Sequence, residues 1–228
     1  MSHGKAKKDI SLIMSELIQG NDKFVESTSK EYFDKIRDSQ NPDITLVTCS
    51  DSRVQVNVFG GDATNRIFTI RNIGNQILPV FGSVDYGVYH LGTPLLLIMG
   101  HAHCGALKAA LGRYDSETAD IIKELDHLAM PVRNLKHSKE QAEELWMEAA
   151  ESNVDFQVKL AVKKYKPVID AGKLTIAGAV EDFIDMYGKG AGRVVITNLN
   201  GENDPKKIIK HKSLKRVNDV VKSRAILK

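Results

Sequence analysis

The feature that most constrains the fold is a series of short, uninterrupted apolar runs separated by helix and turn signals. Three runs occupy residues 44–48, 67–70 and 95–99, and two further strand candidates lie at 173–180 and 193–198. A strand that is apolar along its whole length is buried on both faces, which is typical of a parallel sheet covered by helices. The pattern therefore predicts an α/β fold with a mostly parallel β-sheet flanked by helices.

Helical signals fill most of the chain between these runs. The predicted helices occupy 9–25, 82–92, 118–136 and 140–170. Asp9 is suited to cap the first helix, because its carboxylate can accept hydrogen bonds from the free amides of the first turn. Pro131 and Pro167 are expected to interrupt the two later helices, since proline cannot donate the helical hydrogen bond.

The 228 residues are enough for one domain with a sizeable core. No internal repeat or low-complexity linker divides the chain. We therefore expect a single α/β domain over 1–228, composed of an N-terminal helical arm at 1–40, a catalytic core at 41–200 and a basic C-terminal extension at 201–228.

The charge of the chain is concentrated at its C-terminal end. Between Lys206 and Lys228 there are nine Lys or Arg residues against one acid, Asp219. The formal net charge of +3 is small, so the composition does not indicate a nucleic-acid partner. We interpret the extension as a solvated helical appendage.

No apolar run is long enough to cross a bilayer, and no cleavable leader is apparent at the N-terminus. These features predict a cytoplasmic protein. In that compartment thiols are kept reduced, so a disulfide between Cys49 and Cys104 is not expected.

Chemically active side chains follow two of the apolar runs. Cys49, Asp51 and Arg53 come directly after the first, and a glycine turn at Gly100 followed by "HAHC" comes after the third. The carboxyl ends of neighbouring strands in an α/β sheet are where ligands bind. We therefore expect the side chains at these two strand ends to converge.

Two cysteines and one histidine form a recognised catalytic zinc set, with three protein ligands and an open fourth position. A structural zinc site would require a fourth ligand, for which His103 is the nearest candidate along the chain. Two unmetallated core thiols are a further alternative, because free cysteine is among the most buried residue types. The residues alone leave these three interpretations open.

"CSDSR", followed about fifty residues later by "HAHC", resembles the C-x-D-x-R…H-x-x-C signature of the β-class carbonic anhydrases. The resemblance extends over residues 40–111 and includes "FTIRNIGN" and "GSVDYGVYHLG". It implies an intimate dimer, often assembled into larger homo-oligomers, with the N-terminal helix embracing the partner subunit. It also implies one Zn²⁺ per subunit and reversible hydration of carbon dioxide to bicarbonate and a proton by metal-bound hydroxide.

By this resemblance Cys49, His101 and Cys104 are the zinc ligands, and Asp51 and Arg53 are the catalytic pair. Arg53 would hold Asp51 ionised, so that Asp51 accepts the proton of the hydroxide and orients it. Alternatively, Asp51 closes a resting site as the fourth zinc ligand and is released by Arg53.

The resemblance assigns substrate binding to a second set of residues: Gln40, Phe68, Ile73, Tyr86 and Gly105. Gln40 would hydrogen-bond the substrate, while the aromatic and aliphatic side chains would line an apolar carbon dioxide pocket. For Phe68, Ile73 and Tyr86 a simple core role is the alternative.

Other positions depart from the family pattern or leave its mechanism incomplete. Leu46 occupies the position of a Trp that helps some bacterial members build an inhibitory bicarbonate site, so no such site is expected. Glu181-Asp182 replaces the usual Tyr-Asp pair. The proton-relay group is not identified by the sequence, with His103, His90 and Tyr86 as candidates.

Two other functions use the same residues. Hydrolysis of carbon disulfide or carbonyl sulfide would suit the same scaffold, since both substrates are linear. A zinc-stabilised interaction protein without catalysis is the third interpretation, and the intact Asp51–Arg53 pair argues against it.

Overall fold

The structure is a computed structural model, which describes residues 8–135 and 142–227. It contains two compact units, residues 1–40 and 41–228. The larger unit carries the sheet and, except for Gln40, every predicted site residue.

The N-terminal unit contains two helices, α1 (Ile10–Ser27) and α2 (Lys30–Asp34). Asp9 caps α1 by accepting a hydrogen bond from the Ser11 amide at 2.8 Å, so the predicted helix and its cap are confirmed. None of the residues of α1, all of which are described, is buried.

The second unit is built on a five-stranded sheet in the order β2-β1-β3-β4-β5. Its strands are β1 (Ile44–Cys49), β2 (Ile67–Asn72), β3 (Leu95–His101), β4 (Thr175–Asp182) and β5 (Arg193–Leu199). The first four pair in parallel, and β5 joins β4 in antiparallel orientation. The predicted mostly parallel α/β sheet is confirmed.

The expected glycine turn at Gly100 is wrong, because β3 continues through Gly100 and ends at His101. A Cβ atom at Gly100 would lie 2.9 Å from Cγ2 of Val154, closer than side-chain carbons approach. Gly100 therefore allows a helix to pack tightly on the strand instead of ending the strand.

Before the C-terminal extension, the helices of the second unit are α3 (Phe81–Asp85), α4 (Gly105–Leu111), α5 (Ala119–Val132) and α6 (Ala142–Asp170). A π-helical turn, Tyr86–His90, continues α3. The expected interruptions at Pro131 and Pro167 are wrong, since both prolines lie inside the last turns of α5 and α6. There each proline removes a single amide donor close to the end of its helix.

Apolar side chains cover both faces of the sheet. One cluster joins strand residues to α4, α5 and α6, and the second includes Leu46, Leu97 and Met99 together with Ile208 and Ile226 of the extension. Burial on both faces explains why the strands are apolar along their whole length.

The basic extension forms two short helices, α7 (Pro205–Ile208) and α8 (Asp219–Ala225). Ile208 and Ile226 are buried, and Ile226 forms a parallel bridge with Ile196 of β5. The extension is therefore not simply a solvated appendage, because its apolar side chains complete the core and its backbone covers part of the edge of β5.

In the part of the chain that the structure describes, no helix combines the length and the apolar character needed to cross a membrane.

We expect Gly178→Ala to lower the free energy of unfolding by about 1–3 kcal/mol, as overpacking of a close-packed core does. A Cβ atom at Gly178 would lie 2.7 Å from Val154 Cγ1 and 2.9 Å from Val158 Cγ2. Urea unfolding measures the change. Gly82→Ala is the control, since nothing lies within 4 Å of a Cβ atom there; equal stability of the two variants would contradict the prediction.

Candidate metal centre

The central group of the site consists of Cys49, His101 and Cys104. Thr48 and Met99 are in register on the neighbouring strands β1 and β3, so Cys49 and His101 end those strands at the same edge of the sheet. Cys104 is the N-cap residue of α4. The ligand atoms of the three side chains all lie within 4.8 Å of one another, as a shared metal ion would require.

The surroundings of the group fit a zinc ion. The three residues are 5%, 0% and 1% exposed, respectively. His101 Nδ1 donates a hydrogen bond to the carbonyl of Ala102 at 2.9 Å, while within the described chain Nε2 is buried without a hydrogen-bond partner. Fixing one ring nitrogen and leaving the other for the metal is the usual arrangement of a zinc-binding histidine.

The pKa values of the two thiols are shifted in opposite directions. The adjoining Cys104 side chain, ahead of the neighbouring His101 ring and the Asp51 and Gly74 amides, lowers the pKa of Cys49 to about 4. The same contact with Cys49, together with burial, raises the pKa of Cys104. The Gly74 amide lies 3.4 Å from Cys49 Sγ. One thiolate therefore forms readily, and a thiolate is the form that binds metal.

Asp51 and Arg53 lie directly beside the group. Arg53 Nε and Nη2 donate to the two carboxylate oxygens of Asp51 at 2.9 and 2.7 Å, a bidentate ion pair. These bonds hold the pKa of Asp51 at about 2, so the carboxylate stays ionised. Asp51 Oδ2 lies 3.8 Å from His101 Nε2, and Asp51 is not a member of the group whose ligand atoms all lie within 4.8 Å.

Arg71 holds the loop that carries this pair, which the sequence reasoning did not identify. Its guanidinium donates to the carbonyls of Cys49, Asp51 and Val54, the last two at 2.8 and 2.6 Å. An arginine in the middle of the quoted segment "FTIRNIGN" could have drawn attention, because a charged residue rarely interrupts a core strand.

Glu181 departs from the family pattern in sequence, and the sequence does not predict that it lies beside the site. It lies in register with His101 on β4 and is buried, and among the described residues its Oε2 has no hydrogen-bond partner. Burial raises the pKa of Glu181 to about 7. Phe183 follows Glu181 by two residues. Its ring centroid lies 5.5 Å from that of His101 and 5.2 Å from the guanidinium carbon of Arg53.

The residues assigned to substrate binding are not all brought together in one chain. Phe68 is in register with Thr45, four residues before Cys49, which corresponds to about 13 Å along the strand. Its ring lies 5.9 Å from that of Tyr86. Ile73 directly follows β2 at the metal edge and is exposed.

Gly105 and Gln40 are the two remaining positions assigned to substrate binding. Gly105 is the first residue of α4, and a Cβ atom there would meet nothing within 4 Å. Gln40 is the last residue of the N-terminal unit. Its assignment stays a prediction, like those of the other substrate-binding residues.

All three candidate proton-relay residues lie against other rings. His90 lies 4.5 Å from Tyr86 between ring centroids, and His103 lies 4.4 Å from Trp146 at an interplanar angle of 8°. His103 has a left-handed backbone, with φ of 54°. It adjoins Cys104 along the chain without being part of the ligand group.

The fold and the buried Cys₂His group define an α/β protein with a candidate zinc centre. Residues 44–187 match the family model described as carbonic anhydrase. The chain belongs to this family, in its β-class, as the resemblance indicated.

Curated relatives agree with this family over part of their length. A carbonic anhydrase of Synechocystis is 35% identical over 109 residues, which are 43% of this chain and 39% of the relative. Carbonic anhydrase 2 of Mycobacterium tuberculosis is 32% identical over 109 residues, which are 45% of this chain and 53% of the relative. The match thus spans about two fifths to one half of these relatives.

Solved structures are similar over more of the chain. The β-carbonic anhydrase CcaA has a TM-score of 0.72 and 25% identity, with 81% of this chain and 87% of that chain covered. A structure from the tetrameric β-carbonic anhydrases of Sordaria macrospora has a TM-score of 0.66 and 22% identity. The comparison covers 82% of this chain and 94% of that chain. At this identity the second comparison supports the fold.

We expect both thiols to be free and shielded in the folded chain, because Cys49 and Cys104 are buried and unpaired. Without reductant, a chromogenic disulfide reagent should titrate two thiols per chain after denaturation and react slowly before it. Circular dichroism verifies that the chain is folded. Rapid reaction of either thiol in the folded chain would contradict the burial of Cys49 and Cys104.

Proposed function

We propose that the chain catalyses the reversible hydration of carbon dioxide to bicarbonate and a proton, with one Zn²⁺ held by Cys49, His101 and Cys104. The observation that carries the proposal is the ionised Asp51 carboxylate, which is fixed by Arg53 beside three buried zinc-type ligands. A site that served stability alone would not need this pair.

Zinc, when bound, would act as a Lewis acid that makes water nucleophilic near neutral pH. Two thiolate ligands weaken this effect relative to neutral imidazoles, because they bring negative charge to the ion. Amide hydrogen bonds to the sulfurs counteract the weakening by drawing charge away. The Gly74 amide, 3.4 Å from Cys49 Sγ, serves Cys49 in this way.

Asp51 would orient the attacking water. Arg53 lowers the pKa of Asp51 to about 2, so the carboxylate acts as a hydrogen-bond acceptor near neutral pH. An acceptor beside the ligand group holds the proton of the water on one side and turns an oxygen lone pair towards carbon dioxide. Since Arg53 donates to both carboxylate oxygens of Asp51, it fixes the direction of that acceptor.

We propose that the active unit is a homodimer or a larger homo-oligomer. Phe68 and Tyr86 lie together but away from the ligand end of β1, so a pocket that uses them at the metal needs a second copy of the chain. Ile10, Leu17 and Ile18 of α1 are exposed apolar residues suited to cover a partner. The similar proteins of Sordaria macrospora are described as tetrameric.

In such an assembly Gln40, Phe68, Ile73, Tyr86 and Gly105 would form the substrate side of the site. Carbon dioxide carries no charge, so an apolar wall with one amide donor is a suitable environment for it. The proposal includes no inhibitory bicarbonate site at Leu46, which is fully buried in the core.

We expect Asp51→Ala to lower kcat/KM for carbon dioxide hydration by at least about 100-fold, the usual scale of lost proton positioning. The zinc content should be unchanged, because the carboxylate is not one of the three ligands. Stopped-flow detection of proton release and elemental analysis measure the two quantities.

Asp115→Ala is the matched control for this substitution. Arg113 and Asp115 form the same bidentate pair two residues apart, at 3.1 and 3.0 Å, on the exposed surface. The control should keep full activity. Wild-type activity in the Asp51 variant would assign the pair a structural role and favour a zinc-stabilised interaction protein.

Carbon disulfide and carbonyl sulfide are the alternative substrates. We expect proton release with carbon dioxide to exceed sulfide release with carbon disulfide when both are assayed on one zinc-loaded preparation. Sulfide release in the absence of any carbon dioxide hydration would reject the proposed reaction while keeping the zinc site.

A further inference from the structure

The segment between His101 and Cys104 needs support from outside itself. His103 adopts a left-handed backbone conformation, with φ of 54°, which is unfavourable for residues other than glycine and uncommon even for histidine. Because this residue lies between two ligands, a change in its backbone would redirect the Cys104 side chain. The contacts that hold it therefore bear on the metal centre.

Trp146 of α6, the single tryptophan of the chain, makes two such contacts. Its indole Nε1–H donates to the carbonyl of Cys104 at 2.7 Å. Its ring stacks on His103, with centroids 4.4 Å apart and an interplanar angle of 8°. The ammonium of Lys108 lies 4.7 Å from the indole centroid and adds a cation–π contact.

Arg53 holds the preceding carbonyl. Its Nη2 donates to the carbonyl of His103 at 3.0 Å, in addition to its bonds with Asp51. Two consecutive carbonyls, those of His103 and Cys104, are thus fixed by side chains from different parts of the chain. The orientation of the peptide between them is set by both bonds together.

We propose that Trp146 is a positioning residue, which holds His103 and Cys104 so that the Cys104 sulfur points at the metal. The inference rests on the zinc centre proposed above. Groups that orient metal ligands without touching the metal typically contribute 10- to 100-fold in affinity. The free energy comes from preorganisation, since a ligand already aimed at the ion loses less freedom on binding.

A purely structural role is the competing explanation, because a buried indole N–H usually finds an acceptor wherever it packs. The same helix provides a control for it. Ser152 Oγ donates to the carbonyl of Pro131 at 2.6 Å and joins α6 to α5 without reaching the metal ligands. Ser152→Ala removes a bond of the same kind from the same helix.

Two substitutions test the proposal from opposite sides. Trp146→Phe keeps a ring for stacking and removes the indole donor, whereas His103→Asn removes the stacked ring and keeps a residue that tolerates left-handed backbone. For each variant, the zinc dissociation constant is measured by competition with a chromogenic chelator. The cobalt-substituted protein is then examined for the visible absorption of a tetrahedral thiolate site, and the metal-free protein is unfolded by urea.

We expect Trp146→Phe to raise the zinc dissociation constant by about tenfold or more and to shift the cobalt absorption bands, with a smaller effect in His103→Asn. Ser152→Ala should change the urea midpoint alone. Zinc affinity within twofold of wild type and an unaltered cobalt spectrum in a folded Trp146→Phe variant would overturn the proposal.

The outcome is separable from that of the proposed function. If the wild-type chain binds no zinc, the metal centre itself is wrong. If it binds zinc and Trp146→Phe binds it equally well, the centre stands and the role of Trp146 is structural. If Trp146→Phe does not fold, His103→Asn decides by the same zinc and cobalt measurements.

Discussion

The parallel pairing of β1 with β3 is the interaction on which the candidate site depends. Thr48 faces Met99 in register, so Cys49 and His101 reach the same edge of the sheet. A slip of one residue in this pairing would turn one of the two side chains to the opposite face. The register is held by apolar burial on both faces, which makes the core and the metal-ligand geometry consequences of the same packing.

Beyond the strand ends, donors from distant parts of the chain replace the hydrogen bonds of the sheet. Loops that leave a sheet carry carbonyl groups without ladder partners, and buried carbonyls need donors. Arg71 supplies three of them after β1, while Arg53 and Trp146 supply those after β3. Each donor fixes a short segment that carries a ligand or Asp51. The hydrogen bonds that satisfy these carbonyls therefore also position the side chains of the site.

The two ends of the chain have different relations to this centre. The C-terminal extension buries Ile208 and Ile226 in the sheet core and leaves most of its cations exposed, so it is part of the folded unit rather than a separate tail. The N-terminal unit exposes the apolar side chains of α1. A second subunit over these side chains would explain both this exposure and the separation of Phe68 from the metal edge.

Local patterns in the sequence predicted the fold class, the five strands and the reactive side chains that follow β1 and β3. Apolar runs and the residues that directly follow them are local signals, and Cys49, Asp51 and Arg53 lie within one such signal. Three contacts depend on long-range packing and are seen only in the folded chain: Glu181 beside His101, Arg71 on the loop after β1, and Trp146 on Cys104. These contacts join residues far apart in the chain, and no local pattern encodes which donor will reach which carbonyl.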